Sequence, residues 1–424
     1  MFLATQLPYL ARPKRLLHIA VVTESYAPEI NGVAHTMRHT VETLLQQGHT
    51  VELTRPRQAS DAQAVKPYAE AQLCRSNFIL RLVRGLPVPQ YHGLQMGLVL
   101  PGTLVGAWRK VRPDVVHIVT EGPLGWSALM AARRLGIPVS SSFHTNFQAY
   151  SRHYGVGLFA GMVDCTLRAL HNRCAATMVP TAQIRESLQM RGYKRLTVVG
   201  RGIDTAQFDP SRRNQNLRDS WGAACDATVV MSVGRLAPEK NLSLFIAAAL
   251  AMRAVDPRTR IVLVGDGPDA TALRTAHADF IFAGARVGDD LAAHYASADV
   301  FLFPSITETF GNVTMEALAS GLAVVAYDYA AAHQHIVDAQ SGLLVPFDRA
   351  EFFVEAAQKL AETPELIAEL KQHARATAES LSWARITDDF ALVLAKVASK
   401  NIVDGQWAGK HAPTEAHHFS AKNT

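Results

Sequence analysis

The chain has 424 residues, 48% hydrophobic and 19% charged, with a net charge of +5 and a pI near 9.0. That length exceeds one ordinary domain of about 100–200 residues, and the composition excludes a disordered or fibrous chain. Four scattered cysteines, with no Cys-x-x-Cys pair, point to reduced thiols rather than a disulfide framework or a zinc site. The charge is too mild to call for a nucleic-acid partner. The opening run MFLATQLPYLARPKR has its basic residues after the apolar ones, unlike a signal peptide. No apolar stretch reaches the roughly 20 residues that span a bilayer, so a cytoplasmic protein is expected.

Residues 1–15 read as a leader. Residues 16–23 (LLHIAVVT) follow as a buried parallel strand, 32–47 as an amphipathic helix closed by Gly48, and 49–54 as the next strand. Residues 75–84 (RSNFILRLVR) interleave Arg75, Arg81 and Arg84 with Phe78, Ile79, Leu80, Leu82 and Val83. That mixture suits peripheral contact with an anionic membrane, at the inner face of the plasma membrane for a cytoplasmic protein. A partly buried helix with snorkelling arginines fits it equally well. Strands at 114–119, 137–143, 175–179 and 196–199 then alternate with helices at 125–135 and 181–190, which implies a parallel sheet covered on both faces.

Periodicity stops at 200–216 (GRGIDTAQFDPSRRNQN), and a domain boundary is expected there. It resumes with strands at 228–233, 260–264, 279–283, 299–303 and 322–326 and helices at 241–255, 268–277 and 289–298. The expected fold class is α/β, with units 16–202 and 203–382 facing each other across one deep cleft, because parallel sheets bind ligands outside the carboxyl ends of their strands. Residues 383–400 read as an amphipathic helix crossing back to the first unit, and 401–424 as a disordered tail.

The most informative segment is FLFPSITETFGNVTMEALASGLAVVA. A buried strand runs into a polar turn carrying Glu308, Thr309 and Gly311, and a helix begins near Asn312. Unpaired N–H groups and a positive dipole end at that helix start can seat a phosphate. Glu308 and Glu316 flank the seat, and since an ionised carboxylate only accepts hydrogen bonds, the pair suits hydroxyl groups. A ligand with hydroxyls on both sides of a phosphate is a sugar nucleotide. The strand 228–233 ends in VGRLAPEKN, which puts Arg235 and Lys240 on one loop as a clamp for a diphosphate, with Glu239 able to pair with either. In the first unit, TESYAPEINGVAHT sets Gly32 at a helix start, where backbone can approach a ligand or simply begin a helix. SSFHTNF sets His144 and Asn146 at the cleft edge, as ligand contacts or as structural residues. Beyond them Tyr150, Arg152, His153 and Tyr154 suit an acceptor substrate.

Together ESYAPEINGVA, SSFHTNF, VGRLAPEKN and ETFGNVTMEALASGLAVVA, in this order within residues 16–400, resemble the retaining glycosyltransferases of family 4. The resemblance implies GT-B architecture, two Rossmann-like domains across a cleft. It implies that Gly32 meets the donor diphosphate, that His144 lies against the transferred sugar, and that Arg235 and Lys240 neutralise the leaving diphosphate. Glu308 would hold sugar hydroxyls, and the N–H groups of Phe310, Gly311, Asn312 and Val313 would meet sugar and phosphate. Glu316 would bind the ribose, and backbone at Arg286 and Val287 would receive the base. No cofactor and no metal is implied, in keeping with the absence of an Asp-x-Asp motif, and retention would proceed by front-face attack. A covalent glycosyl-enzyme is the other route, but no carboxylate announces itself as a nucleophile. SSFHTNFQAYSRHYG is most similar to the GDP-mannose-dependent α-mannosyltransferases and related glycolipid synthases. That favours GDP-mannose as donor, with UDP-glucose or UDP-galactose as alternatives, and a lipid or glycan acceptor. A sugar-nucleotide epimerase of the same architecture and a non-catalytic sugar-binding protein are the competing readings, and the set Arg235, Lys240, Glu308 and Glu316 argues against both.

Overall fold

The computed structural model of the chain describes residues 15–27, 29, 31–58, 61, 76–87, 95–144, 160–308 and 310–403. The strands are β1 His18–Val22, β2 Thr50–Pro56, β3 Phe78–Pro87, β4 Gln95–Leu98, β5 Val115–Ile118, β6 Val139–Ser142, β7 Ala176–Val179 and β8 Leu196–Val198, with β-branched residues concentrated in β1, β2, β5, β7 and β8. Among the described residues these make one sheet in the order β4-β3-β2-β1-β5-β6-β7-β8, parallel except where β4 runs antiparallel to β3. A second, parallel sheet comprises β9 Val229–Val233, β10 Arg260–Val264, β11 Ile281–Gly284, β12 Val300–Phe303, β13 Ala323–Tyr327 and β14 Leu343–Val345, in the order β11-β10-β9-β12-β13-β14. In each sheet the chain reverses its direction of travel between neighbouring strands, β1 and β5 in the first and β9 and β12 in the second. At such a switch point the following loops diverge and a crevice opens at the carboxyl ends.

Both faces of each sheet are covered, as continuous apolar strands require. In β9, Val229, Met231 and Val233 pack with Phe301, Phe303 and Phe310 on one face, and Val230 packs with Val300, Leu302 and Phe245 on the other. The last helix, Trp383–Val403, lays Phe390, Ala391, Leu394 and Val397 against Ile19, Val21 and Met37 of the first sheet and its covering helix Gly32–Gln46. Its start is fitted against Gly202, where a Cβ would lie 2.7 Å from the Trp383 Cα.

The structure revises the sequence reading in three places. Residues 78–84 belong to β3, not to a helix: Ile79 to Val83 register against Glu52 to Pro56, and Arg81 Nε donates to Glu52 Oε1 at 3.0 Å. Arginines three apart suit a helix, but pairing with β2 on one side and β4 on the other fixes the segment as a strand. The last helix continues to Val403, so residues 401–403 of the expected tail are helical, while residues 1–14, Arg75 and 404–424 lie outside the described residues. Between 343 and 379, where the pattern assigned nothing, lie β14 and the helices Ala350–Glu362 and Pro364–Glu379. Among the described residues no helix is long and apolar enough to cross a membrane.

Candidate functional site

Two neighbouring strands of the second sheet, β9 and β12, deliver the first group of side chains. After β9 the chain passes Gly234 and Arg235 and makes a short 3-10 turn, Pro238–Lys240. After β12 it passes Ser305 and Glu308. Lys240 Nζ is paired with Glu308 Oε1, which also accepts from Ser305 Oγ at 2.6 Å. The same ammonium stands 5.3 Å from the centroid of the Phe303 ring, a favourable cation–π approach. Tyr329 OH donates to the Glu308 carbonyl at 2.7 Å. The Glu308 loop is thereby tied at once to the β9 turn and to the loop after β13. Arg235 is more exposed, its Nη1 3.9 Å from Glu239 Oε1.

Gly311, at φ 93° and ψ 60°, turns the chain into the helix Asn312–Ala319. That left-handed conformation suits glycine, which has no Cβ to clash. The helix start has no side-chain cap and no acidic residue in its first turn, so its N–H groups and dipole favour an anion. In the second turn, Glu316 Oε2 accepts from Tyr295 OH at 2.9 Å. Burial pushes the Glu316 carboxyl up to about 7, with the Tyr295 hydrogen bond opposing the rise.

The first domain faces this helix start. A Cβ on Gly32 would lie 3.7 Å from both Asn312 Nδ2 and Arg201 Nη1, so the starts of the helices Gly32–Gln46 and Asn312–Ala319 approach each other across the cleft. His144 follows β6, and burial together with the charge of Arg201 holds its pKa well below the usual histidine range, leaving a neutral imidazole at pH 7. Arg286 and Val287 follow β11, separated from β9 by β10, with Arg286 Nε donating to Ala283 O at 2.8 Å and Nη1 to Asp290 Oδ2 at 3.0 Å. Asn146, Tyr150, Arg152, His153, Tyr154 and Thr309 lie outside the described residues.

Residues 30–207 match the model described as Glycosyltransferase Family 4, and residues 227–363 that described as Glycosyl transferases group 1. A protein of Mycolicibacterium smegmatis named GDP-mannose-dependent alpha-mannosyltransferase is 32% identical over 376 residues, 88% of this chain and 96% of that protein. The chain belongs to glycosyltransferase family 4. This glycosyltransferase is also 27% identical over 378 residues, 84% of its own length and 92% of the relative's, to an Acholeplasma laidlawii protein named Alpha-monoglucosyldiacylglycerol synthase. Its fold matches that of sucrose-phosphate synthase from Thermosynechococcus elongatus with a TM-score of 0.70 at 18% identity, covering 91% of this chain and 100% of the other. Anabaena HepE, solved with UDP and glucose, matches with a TM-score of 0.69 at 17% identity, covering 90% of this chain and 100% of HepE. The architecture is GT-B, and the activity is glycosyl transfer from a sugar nucleotide.

Two cleft residues of this glycosyltransferase were not singled out from the sequence. Arg201, in the segment read only as a domain boundary, is 7% exposed; its Nη1 donates to Asn312 Oδ1 at 3.1 Å and its Nη2 lies 3.4 Å from His144 Nδ1. Glu24, after β1, accepts from the N–H groups of Gly97 and Leu124, each at 3.3 Å, and is packed on Gly122, where a Cβ would lie 2.0 Å from its Oε2 and force the carboxylate to move. Burial pushes its carboxyl up to about 7. Charged residues beyond the ends of β1 and β8 were the available signal, and position after a parallel strand was its only content.

Proposed function

We propose that the protein is a retaining α-mannosyltransferase that moves mannose from GDP-mannose to a hydroxyl of a lipid or glycan acceptor. The observation that carries the choice of sugar is 32% and 33% identity over 376 residues to two proteins named GDP-mannose-dependent alpha-mannosyltransferase, from Mycolicibacterium smegmatis and Mycobacterium tuberculosis. The similarity to Alpha-monoglucosyldiacylglycerol synthase supports a second reading, a UDP-sugar-dependent transfer to diacylglycerol.

Breaking the anomeric C–O bond creates an oxocarbenium-like sugar and a diphosphate that gains negative charge, so the leaving group needs the strongest stabilisation. In this reading Lys240, Arg235 and the N–H groups of Phe310, Gly311, Asn312 and Val313 supply it, and Gly32 admits the diphosphate from the opposite wall. The acceptor oxygen attacks the anomeric carbon on the face that the diphosphate leaves. The new C–O bond forms as the old one breaks, and the acceptor's proton passes to a phosphate oxygen, with no metal taking part. Glu308 keeps acceptor capacity for sugar hydroxyls while its Oε1 orients Lys240. Arg201 can only donate to His144 Nδ1, which makes Nε2 the protonated nitrogen of a neutral imidazole. That N–H has no partner among the described residues and would donate to the transferred sugar. Glu316 would hold the ribose hydroxyls, and backbone at Arg286 and Val287 the base. Tyr150, Arg152 and His153 are assigned to the acceptor.

One surface supports a lipid acceptor. Residues 71–113 contain neither Asp nor Glu, and β3, β4 and the helix Pro101–Lys110 with its following turn expose Arg84, Arg109, Lys110 and Arg112 beside Leu86, Leu98, Leu100 and Val111. Cations interleaved with apolar side chains suit an anionic bilayer. The test is to offer GDP-mannose, UDP-glucose and UDP-galactose with a total lipid extract, with and without chelator, and to read products by mass and anomeric configuration by NMR. An α-mannosyl product from GDP-mannose, unaffected by chelator, is expected. Transfer from the UDP-hexoses alone, or a β product, would overturn the proposal.

A further inference from the structure

The cleft holds a buried guanidinium with no carboxylate within ion-pair distance among the described residues. Around the start of the helix Asn312–Ala319 stand three cations, Arg201, Arg235 and Lys240, together with the positive end of the helix dipole. Lys240 is paired with Glu308, and Arg235 lies 3.9 Å from Glu239. The partners of Arg201 are neutral: Asn312 Oδ1, His144 Nδ1, and the Phe310 ring, whose centroid is 5.5 Å from Cζ. Its Nε has no acceptor among the described residues. Burying a charge is costly unless it is paired, and the strain is visible as a guanidinium whose pKa burial lowers to about 10, against which only the charge of Glu308 acts.

We infer that Arg201 is a third cation of this seat and contacts the donor diphosphate, the Nε and Nη hydrogens of its planar fork meeting phosphate oxygens. The inference rests on the reading that the cleft takes a nucleotide sugar, and it adds a residue from the segment that joins the two domains. A planar guanidinium matches phosphate in a way that a lysine ammonium does not. Glycine at position 32 leaves the approach to Nη1 open, since a Cβ there would already stand 3.7 Å from it. Arg201 also reaches His144 on one side and Asn312 on the other, so a diphosphate held by it is aligned with both walls.

Calorimetric titration of the full chain with GDP, UDP, GMP and UMP, for the wild type, Arg201→Gln and Arg201→Lys, tests this alongside thermal unfolding without nucleotide. For Arg201→Gln, diphosphate affinity should fall by about 10- to 100-fold, monophosphate affinity should change far less, and the unliganded melting temperature should not fall, because an uncompensated buried charge has been removed. Arg201→Lys should recover part of the diphosphate affinity. Wild-type diphosphate affinity in either variant would make Arg201 a pin between the domains and overturn the inference. Loss of cooperative unfolding in Arg201→Gln would count the same way. A wild-type chain that binds neither diphosphate would instead remove the nucleotide-sugar reading, and this inference with it.

Discussion

Glu316→Gln should separate what its carboxylate costs the empty protein from what it contributes to the donor. The folded-state pKa is raised from 4.5 to about 7, so the charged form is disfavoured by burial. The native state then holds its proton while the unfolded chain releases it, and stability contributed by this group is full below pH 4.5, falls as pH rises, and is gone above about 7. Converting that shift at about 1.4 kcal/mol per pH unit gives ~3 kcal/mol, which partial exposure of the side chain reduces to about 1–2 kcal/mol. The amide keeps an acceptor for Tyr295 OH. Chemical denaturation without ligand should therefore find Glu316→Gln more stable than wild type by about 1–2 kcal/mol at pH 8, with the gain shrinking towards pH 5. Donor binding should move the other way, because ribose hydroxyls donating to a charged acceptor are worth about 1.5–3 kcal/mol, or roughly 10- to 150-fold in donor KM. Ribose is remote from the reacting carbon, so kcat should change little. Wild-type donor KM should rise as pH falls below about 7, and that of the variant should stay flat. A stability difference independent of pH, or an unchanged donor KM, would refute the reasoning.

Lys240→Met should lower kcat by about 100- to 1000-fold, the range for losing one preorganised donor to developing charge. Ser305 still holds Glu308 in that variant, so unfolding should remain cooperative, but a largely buried carboxylate loses its partner and stability should fall by about 1–3 kcal/mol; steady-state kinetics and denaturation read both. Gly311→Ala should cost about 1–2 kcal/mol from its left-handed backbone alone, because a Cβ there would make only ordinary contacts at 3.7–3.8 Å with Glu308, Thr314 and Phe303; a loss above about 4 kcal/mol would mean that steric clash was misjudged. Replacing Arg109, Lys110 and Arg112 together by glutamine should abolish sedimentation with phosphatidylglycerol vesicles, and binding of the wild type should weaken with salt. Undiminished vesicle binding would remove that face as the lipid contact.

The sheets, and the meeting of Lys240 with Glu308 at neighbouring strand ends, were legible because they depend on local pattern. Strands β9 and β12 are apolar runs ending in polar turns, and the rule that parallel sheets bind at strand ends singled out Arg235, Lys240 and Glu308 before any contact was known. The 75–84 segment was not legible. Arg81 and Arg84 repeat every three residues, which suits a helix, and the strand is fixed by register with β2 and by Glu52, 29 positions away from Arg81. The two helices between 350 and 379 escaped because no motif drew attention to them.

Arg201 illustrates why a site cannot be read from motifs alone. GRGID has no periodicity, and its glycines mark it as a connection. Its partners are 57 and 111 residues away in sequence, His144 within its own domain and Asn312 across the cleft, so its burial is produced by long-range packing that no local pattern records. Lys240 and Arg235 each have a carboxylate within ion-pair distance, so their charge is largely answered before a ligand arrives. The buried charge of Arg201 makes the closed cleft more favourable with an anion inside than without one, because its hydrogen-bond partners among the described residues are neutral and the one carboxylate that favours its charge, Glu308, is already paired with Lys240. Donor binding and approach of the domains are then linked through one side chain: a diphosphate that pairs with Arg201 lowers the cost of burying it, and closure strengthens the same pairing by removing water.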